Sequence, residues 1–559
     1  MKELVRFIAS FIKQEIGSLC FYIFPVSLSG AERQFVKENS AFWSKYTSGC
    51  PGDRYVLIEF NQHPVIYLSN ASFGSIVAFA KGLRPLFLLW NHEKAAQRKI
   101  LESYPNAAFV YLIDWRYLLP NIRAWFEAKE VYRSLKTPED LLKLKVDDIS
   151  VGDTVYDAVL SSGYATIRAI DGKVFKALYA FFRIRCAIKD IIRRYKIETA
   201  VVSQLMGLNG GTLGKYLIKS GIEVLNRVGS YQILGKKYRA LNDLGSIPIS
   251  PTPEYFKMLM NNDDGTIEGI VEEYLEKRLS GGVTRLDAAQ AFAPMKKTFT
   301  DRQSFCAEYQ LDFTKPIIFV MLHAFNDNPH WNYPKKMLFL DYYHWFMRTL
   351  EITKKVDSVN WVFKEHPTQR FYPVRDLNVK AIMEQVNFDH IRFIDGQANF
   401  NTGSLHYLAH AIVTGAGTAG LEFAAYGIPC VLAGEGAYSG FGFTVEPQTV
   451  EEYEACLRHI DCLKPLRGIR VKAAKMVAYL YFTMSESQTY YFCPYFEGDT
   501  ISDWKPEHSE SLWRTAAANF QDQKISQEMI NQVNELSGFI CDSSRVLYLD
   551  LSKYKFLIH

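Results

Sequence analysis

The chain predicts an α/β fold of two Rossmann-like domains facing each other across a cleft. Short apolar runs of strand length alternate with helix-length segments through the first half. The same alternation restarts after a polar, glycine-containing stretch near the middle. With 559 residues, 48% of them hydrophobic, the chain is long and apolar enough to fill more than one core. Strands separated by helices imply parallel sheets covered on both faces, which bind ligands at the carboxyl ends of their strands.

Residues 1–50 read as an amphipathic helical segment. Leu4, Ile8, Phe11, Ile12, Ile16 and Leu19 recur at helical spacing. Lys13 and Glu15 interrupt the apolar span, so no membrane-crossing helix is expected from residues 1–27. Two readings stand: a helix packed on its own domain, or one lying along a membrane surface as a peripheral contact.

Residues 51–255 form the expected N-terminal Rossmann-like domain. Its strand candidates are Tyr55–Phe60, Pro64–Leu68, Pro85–Trp90, Ala108–Ile113, Thr199–Ser203 and Ile222–Leu225. Helical patterns lie near 72–81, 92–103, 115–131 and 172–195. Residues 256–312, with Asn261-Asn-Asp-Asp-Gly265 and Ser280-Gly-Gly282, read as a helical linker containing the domain boundary.

Residues 313–480 form the second Rossmann-like domain. Its strands are expected at Ile317–Leu322, Trp361–Phe363, Ile391–Ile394, Ala411–Val413 and Cys430–Leu432. Helices are expected near 336–355, 375–386, 403–408 and 418–426. Residues 481–559 are a C-terminal extension ending in the strand-like stretch Val546–Leu551.

A net charge of +4, spread along the chain, does not argue for nucleic acid. The nine cysteines are scattered without a CxxC pair, and Cys456 and Cys462 lack a histidine at zinc-ligand spacing. With no secretory pattern at the N-terminus, a reducing cytoplasm is expected.

One stretch raises a chemical question. Val413-Thr-Gly-Ala-Gly-Thr-Ala-Gly-Leu-Glu422 passes from an apolar strand into small residues and then places a carboxylate one turn into a helix. Gly415 and Gly417 would let backbone approach a ligand, and Thr418 would cap the helix or donate to a phosphate oxygen. Glu422 suits ribose hydroxyls better than phosphate. The plainer reading is that glycine and alanine only permit tight helix–strand packing. The stretch does not match GxxxxGK[ST], which disfavours an ATP-type loop.

In Trp361-Val-Phe-Lys-Glu-His-Pro367, Pro367 holds His366 extended at a strand end, with Lys364 adding charge beside it. His366 would donate to a phosphate or a sugar carboxylate. Leu322-His-Ala-Phe-Asn-Asp-Asn-Pro-His330 places His323, Asn326, Asp327, Asn328 and His330 on a loop facing the crevice. A metal site from His323, Asp327 and His330 is the weaker alternative there. In Ser150-Val-Gly-Asp-Thr-Val-Tyr-Asp157, Asp153 reads as an N-cap, while Asp157 gains nothing from capping and suits a general base.

VGDTVYD, HAFNDNPH, KEHP and GAGTAGLEFAAYGIPCVLAG together resemble recurring blocks of GT-B glycosyltransferases of bacterial capsule and surface-polysaccharide synthesis. The resemblance spans about residues 145–440 and extends, more distantly, to transferases using CMP-Kdo, CMP-sialic acid or CDP-glycerol. It implies sugar transfer from a nucleotide-sugar (CMP-, UDP- or related), held by the second domain, to a hydroxyl of a glycan or lipid-linked glycan acceptor, held by the first, without metal or cofactor. It also implies a cytoplasmic location, extending to the inner face of the plasma membrane. His366 would contact the donor phosphate or sugar, Gly417 and Thr418 the phosphate, and Glu422 the ribose, with Asp153 or Asp157 as base. Where many relatives carry Ser-Ser or Ser-Thr, this chain has Gly417-Thr418, one hydroxyl fewer. The alternatives are a sugar-nucleotide 2-epimerase of the same fold and a non-catalytic glycan-binding subunit of an assembly complex.

Overall fold

The computed structural model describes residues 27–46, 52–60, 63–90, 95–228, 232–245, 250–283, 286–330, 337–484, 489–494 and 506–548, with isolated positions among the first thirteen. The amphipathic reading of residues 1–27 falls almost entirely outside these residues.

The first sheet takes β1 (Arg54–Glu59), β2 (Arg84–Leu89) and β3 (Ala108–Tyr111) from the start of the chain. A two-residue hairpin, β4 (Lys145–Val146) and β5 (Ile149–Ser150), stands apart from it. β6 (Lys196–Val202), β7 (Glu223–Val228) and β8 (Leu234–Tyr238) complete this half. The second sheet comprises β9 (Ile317–Met321), β10 (Asn360–Lys364), β11 (Ile391–Ile394), β12 (Ala411–Thr414) and β13 (Cys430–Leu432). A last strand, β14 (Leu547–Tyr548), returns to the first sheet.

The spatial orders are β14-β8-β7-β6-β1-β2-β3 and β11-β10-β9-β12-β13. Within the first, β3-β2-β1-β6-β7 is parallel, and β8 and β14 add antiparallel edges. The second is parallel throughout. Each therefore contains a five-stranded, doubly wound unit that reverses direction beside its first strand. This is the two-Rossmann architecture, and the reversal beside β1 or β9 is where such sheets open a crevice. β10 shows why the apolar runs were legible: all five residues are buried between covering layers.

Pro64–Leu68 is helix, not strand. Pro64 occupies the first helical turn of Pro64–Lys81, where its missing N–H costs nothing. That helix is buried almost continuously from Val65 to Ala78, so no polar face marks its period. Gly74 lets it approach the sheet: a Cβ there would lie 2.4 Å from Ile58 Cδ1.

Residues from both chain ends build one layer of the first domain. The helix Gly30–Trp43 opens on a Ser29/Glu32 capping box and packs against the helix Pro506–Gln521, with Phe35 and Trp513 rings 4.9 Å apart. The helix Gln523–Cys541 joins the same core through Val533, Leu536 and Phe539. The linker helices Pro253–Asn262 and Thr266–Leu279 instead share the second domain's core with Ile469–Ala478. Among the described residues, no helix is long and apolar enough to cross a membrane.

The domains touch through polar contacts around the helix Gly152–Ser161 and through an apolar seam where Leu234 of β8 packs into the second domain's core. Tyr156 Oη donates to Asp341 Oδ2 at 2.7 Å, and the amide of Ala165 donates to Asp376 Oδ1 at 2.8 Å.

Candidate functional site

At the reversal point of the second sheet, the neighbouring strands β10, β9 and β12 deliver their carboxyl ends to one place. A cavity of about 90 Å³ opens there, lined by His323 after β9, Lys364, Glu365 and His366 from β10, and Thr414, Gly417 and Thr418 from β12. Arg278, Ala288, Ala291 and Phe292 of the linker region complete the wall with Glu422. The structure thus brings together six residues singled out from sequence: His323, Lys364, His366, Gly417, Thr418 and Glu422.

Lys364 closes β10 and is only 2% exposed. No carboxylate or carbonyl among the described residues accepts a hydrogen bond from its Nζ. Burial, reinforced by Lys296, lowers its pKa to about 7. In His366, Nδ1 accepts from the Thr368 amide at 3.3 Å and lies 2.8 Å from the Thr368 hydroxyl. An acceptor Nδ1 puts the ring proton on Nε2, which makes Nε2–H the donor.

His323 is held the other way round. Its Nε2 accepts from the Ala416 amide at 3.2 Å, and its ring stacks on Tyr342 at 4.2 Å. Burial and the nearby His366 push its pKa down to about 3, so this imidazole is neutral at physiological pH.

The β12 turn differs from its sequence reading. Neither Gly415 nor Gly417 has positive φ. Their smallness makes room for neighbours: a Cβ on Gly415 would sit 3.0 Å from His323 Nε2, and one on Gly417 would sit 2.9 Å from Thr414 Oγ1. Gly415 therefore supports the site from behind. Two turn amides are satisfied internally, Ala416 by His323 and Gly417 by Thr414 Oγ1 at 3.2 Å. The helix expected over 418–426 is a single α-turn, Ala419–Glu422, followed by the 3₁₀ turn Ala424–Tyr426. So short a helix gathers little dipole, and the cavity's positive character rests on Lys364. Thr418 occupies the cap position without a side-chain capping bond and lines the cavity.

Glu422 is not an open ribose acceptor. Its Oε1 accepts from Arg278 Nε at 3.0 Å and Nη2 at 2.7 Å, and both side chains are buried. This pair fastens the β12 turn to the linker helix.

The two carboxylates expected as bases are also engaged. Asp153 lies inside the helix Gly152–Ser161, not at its cap, and accepts from Lys215 Nζ at 2.7 and 2.5 Å. Asp157 accepts from the amide and Nδ1 of His330, at 3.1 and 2.6 Å. His330 Nε2 lies 3.0 Å from the Leu340 carbonyl, so both ring nitrogens donate and the ring is an imidazolium. Burial opposes that charge, but the Asp157 carboxylate outweighs it and holds the pKa up. Asp157 is thus engaged in a pair tying the domains together, and among the described residues no cluster of His, Cys, Asp and Glu that could hold a metal forms, His323, Asp327 and His330 included. Asn326 is buried beside Pro373 and Asp327 is exposed; neither lines the cavity.

Arg278, Glu365 and Thr414 were missed. Nothing in sequence connects Arg278 to a turn 140 residues later, whereas Glu365 lies between two residues that were recognised. Glu365 Oε2 accepts from the Gly396 amide at 3.0 Å, and burial raises its pKa. In the first domain, at the corresponding point, Glu59 at the end of β1 accepts from the amide and hydroxyl of Ser203 after β6.

No protein-family model and no curated protein matches the chain. Among solved structures it is similar to the beta-Kdo 2,4-transferase KpsC of Thermosulfurimonas dismutans, at 12% identity and a TM-score of 0.30, over 50% of this chain and 79% of that one. The wall teichoic acid polymerase TagF aligns at 8% identity and a TM-score of 0.20, over 94% and 99% of the two chains. A UDP-GlcNAc 2-epimerase of Neisseria meningitidis, bound to UDP-GlcNAc, aligns at 10% identity and 0.22, over 77% and 99%. None of these likenesses is strong enough to assign a reaction.

Proposed function

We propose that this chain is a GT-B type glycosyltransferase that moves a sugar from a nucleotide-sugar to a hydroxyl of a surface or capsular glycan. The observation that carries the reading is Lys364, a buried ammonium-forming side chain at the head of a strand-end cavity, beside the Nε2–H of His366 and the hydroxyl of Thr418. A buried cation that no acceptor among the described residues hydrogen-bonds, with only the nearby charge of Glu365 to offset its burial, is costly, and an anion in the cavity lowers that cost. The enclosed part of the cavity, about 90 Å³, is of phosphate size and opens outward. The leaving phosphate therefore sits here and the rest of the donor lies outside.

As the glycosidic C–O bond to phosphate breaks, negative charge grows on the leaving oxygen. Lys364, His366 and Thr418 are aimed at that charge and stabilise it. In this reading they replace a metal, so turnover is expected to survive a chelator. Glu422 is locked by Arg278, which leaves Glu365 as the cavity carboxylate able to take the acceptor proton. Glu365→Gln is expected to lower kcat by about a hundredfold or more while donor binding persists.

The deciding experiment is thermal-shift screening against CMP-, UDP-, GDP- and CDP-linked sugars. One class is expected to raise Tm by mass action, and Lys364→Met to abolish the rise while remaining folded. If no sugar nucleotide shifts the protein, or if Lys364→Met responds like the native chain, the reading fails.

A further inference from the structure

Thr402 lines the cavity from the turn that follows β11. It is 3% exposed, and among the described residues its Oγ1 has no hydrogen-bond partner. The polar groups beside it are engaged. Asn401 Oδ1 accepts from the Gly403 amide at 2.8 Å, and its Nδ2 donates to the Ala293 carbonyl at 3.2 Å. Ser404 Oγ accepts from the Phe299 amide at 2.9 Å. These bonds pin the turn to the linker region on both sides of Thr402 and hold the residue at the cavity wall.

The other buried threonines of the second domain are bonded: Thr349 to Tyr453, Thr353 to the Leu350 carbonyl, Thr368 to His366 and Thr414 to His323. A buried hydroxyl left without a partner costs free energy, and a native fold keeps one where a ligand, ion or water completes it. The rest of the wall says which. Lys364 and the Nε2–H of His366 donate, and Thr418 brings a second hydroxyl. An ammonium, an N–H and two hydroxyls suit an occupant with several acceptor oxygens, which is a phosphate. A water or a sugar hydroxyl also brings hydrogens, and the wall has few acceptors for them: Glu422 is held by Arg278, and Glu365 Oε2 by the Gly396 amide.

We propose that Thr402 is a ligand of the donor's phosphate, its hydroxyl donating to a phosphate oxygen from the β11 side while Thr418 donates from the β12 side. The proposal rests on the reading of this cavity as the leaving-phosphate site and adds a residue to it that comes from a different strand end.

The probe is inorganic phosphate, titrated by calorimetry into the native chain, Thr402→Val, Thr402→Ser and Lys364→Met at a pH below the Lys364 value of about 7. Thr402→Val loses a hydroxyl that has no partner in the ligand-free chain, so its ligand-free Tm is expected at or above the native one. Its phosphate affinity is expected to fall about tenfold or more, while Thr402→Ser, which keeps the hydroxyl, stays within about threefold of native. Native phosphate affinity in Thr402→Val overturns the proposal. So does a drop in its ligand-free Tm, which would show the hydroxyl bonded within the fold, or a Thr402→Ser variant as weak as Thr402→Val. The two readings fail separately. If Lys364→Met and Thr402→Val both lose phosphate but no sugar nucleotide raises the native Tm, Thr402 is a phosphate ligand and the transferase reading fails. If Lys364→Met loses phosphate and Thr402→Val does not, the cavity reading stands and Thr402 is not a ligand. A native chain indifferent to phosphate, or a Lys364→Met variant that binds it like the native chain, overturns both.

Discussion

The ammonium of Lys364 is the residue on which the chemistry turns, and pH reads it directly. Its folded pKa is lowered to about 7 from the ordinary lysine value near 10.5. Between those values the unfolded chain binds the proton more tightly, so this group's contribution to stability rises with pH through that window. Anion binding needs the charged form and runs the other way. Donor affinity is therefore expected to fall as pH rises through about 7, measured by calorimetric titration, and Lys364→Met should flatten the profile. His323 adds an acid-side term. With its pKa at about 3 against an ordinary 6.5, its contribution is complete above 6.5 and is lost as pH falls towards 3.

These residues were legible because strand ends next to glycine or proline are visible in sequence. Their partners were not. Glu422 was read as facing a ligand because its position on the helix was clear, while the guanidinium that claims it comes from Arg278 in the linker region.

At the scale of elements, sequence reading worked where burial was two-sided and short, as in β10, and failed where a helix was buried all round. Pro64–Lys81 has apolar residues on every face, so its first five residues read as a strand. The helix after β12 shrank to one turn because tight packing, with Gly420 directly beneath the Tyr438 hydroxyl, dominates there. The helix Gly152–Ser161 shows how an element changes a residue's meaning. It turns Asp157 towards His330 of the other domain, where its carboxylate is engaged in an inter-domain pair. Removing one member of such a buried pair costs about 3–5 kcal/mol. Asp157→Asn is thus expected to lower Tm markedly, whereas a true base would lose turnover at unchanged Tm. The pair also carries a pH signature. Because the folded pKa of His330 is raised, its stabilisation is full below the ordinary histidine value and fades as pH rises through the folded one. Asp157→Asn should remove that alkaline loss.

Over the whole molecule, the first domain depends on both chain ends and the second on neither. The helix Gly30–Trp43 and the helices after residue 505 together cover one face of the first sheet, and β14 extends its edge. Periodicity cannot reveal this, since nothing local links Trp513 to Phe35. The domains meet through polar contacts and a small apolar seam in which Leu234 of β8 joins the second domain's core, while most of each core remains its own. Calorimetry is therefore expected to resolve two transitions. Trp513 is fully buried, and Trp513→Ala should cost about 3–5 kcal/mol in the first domain alone. A bound sugar nucleotide should raise only the other transition, because every residue lining the cavity belongs to the second domain or to the linker helices. If Trp513→Ala lowers both transitions equally, the two cores melt as one unit, and the polar junction at Asp157 and Tyr156 couples them far more strongly than its contacts imply.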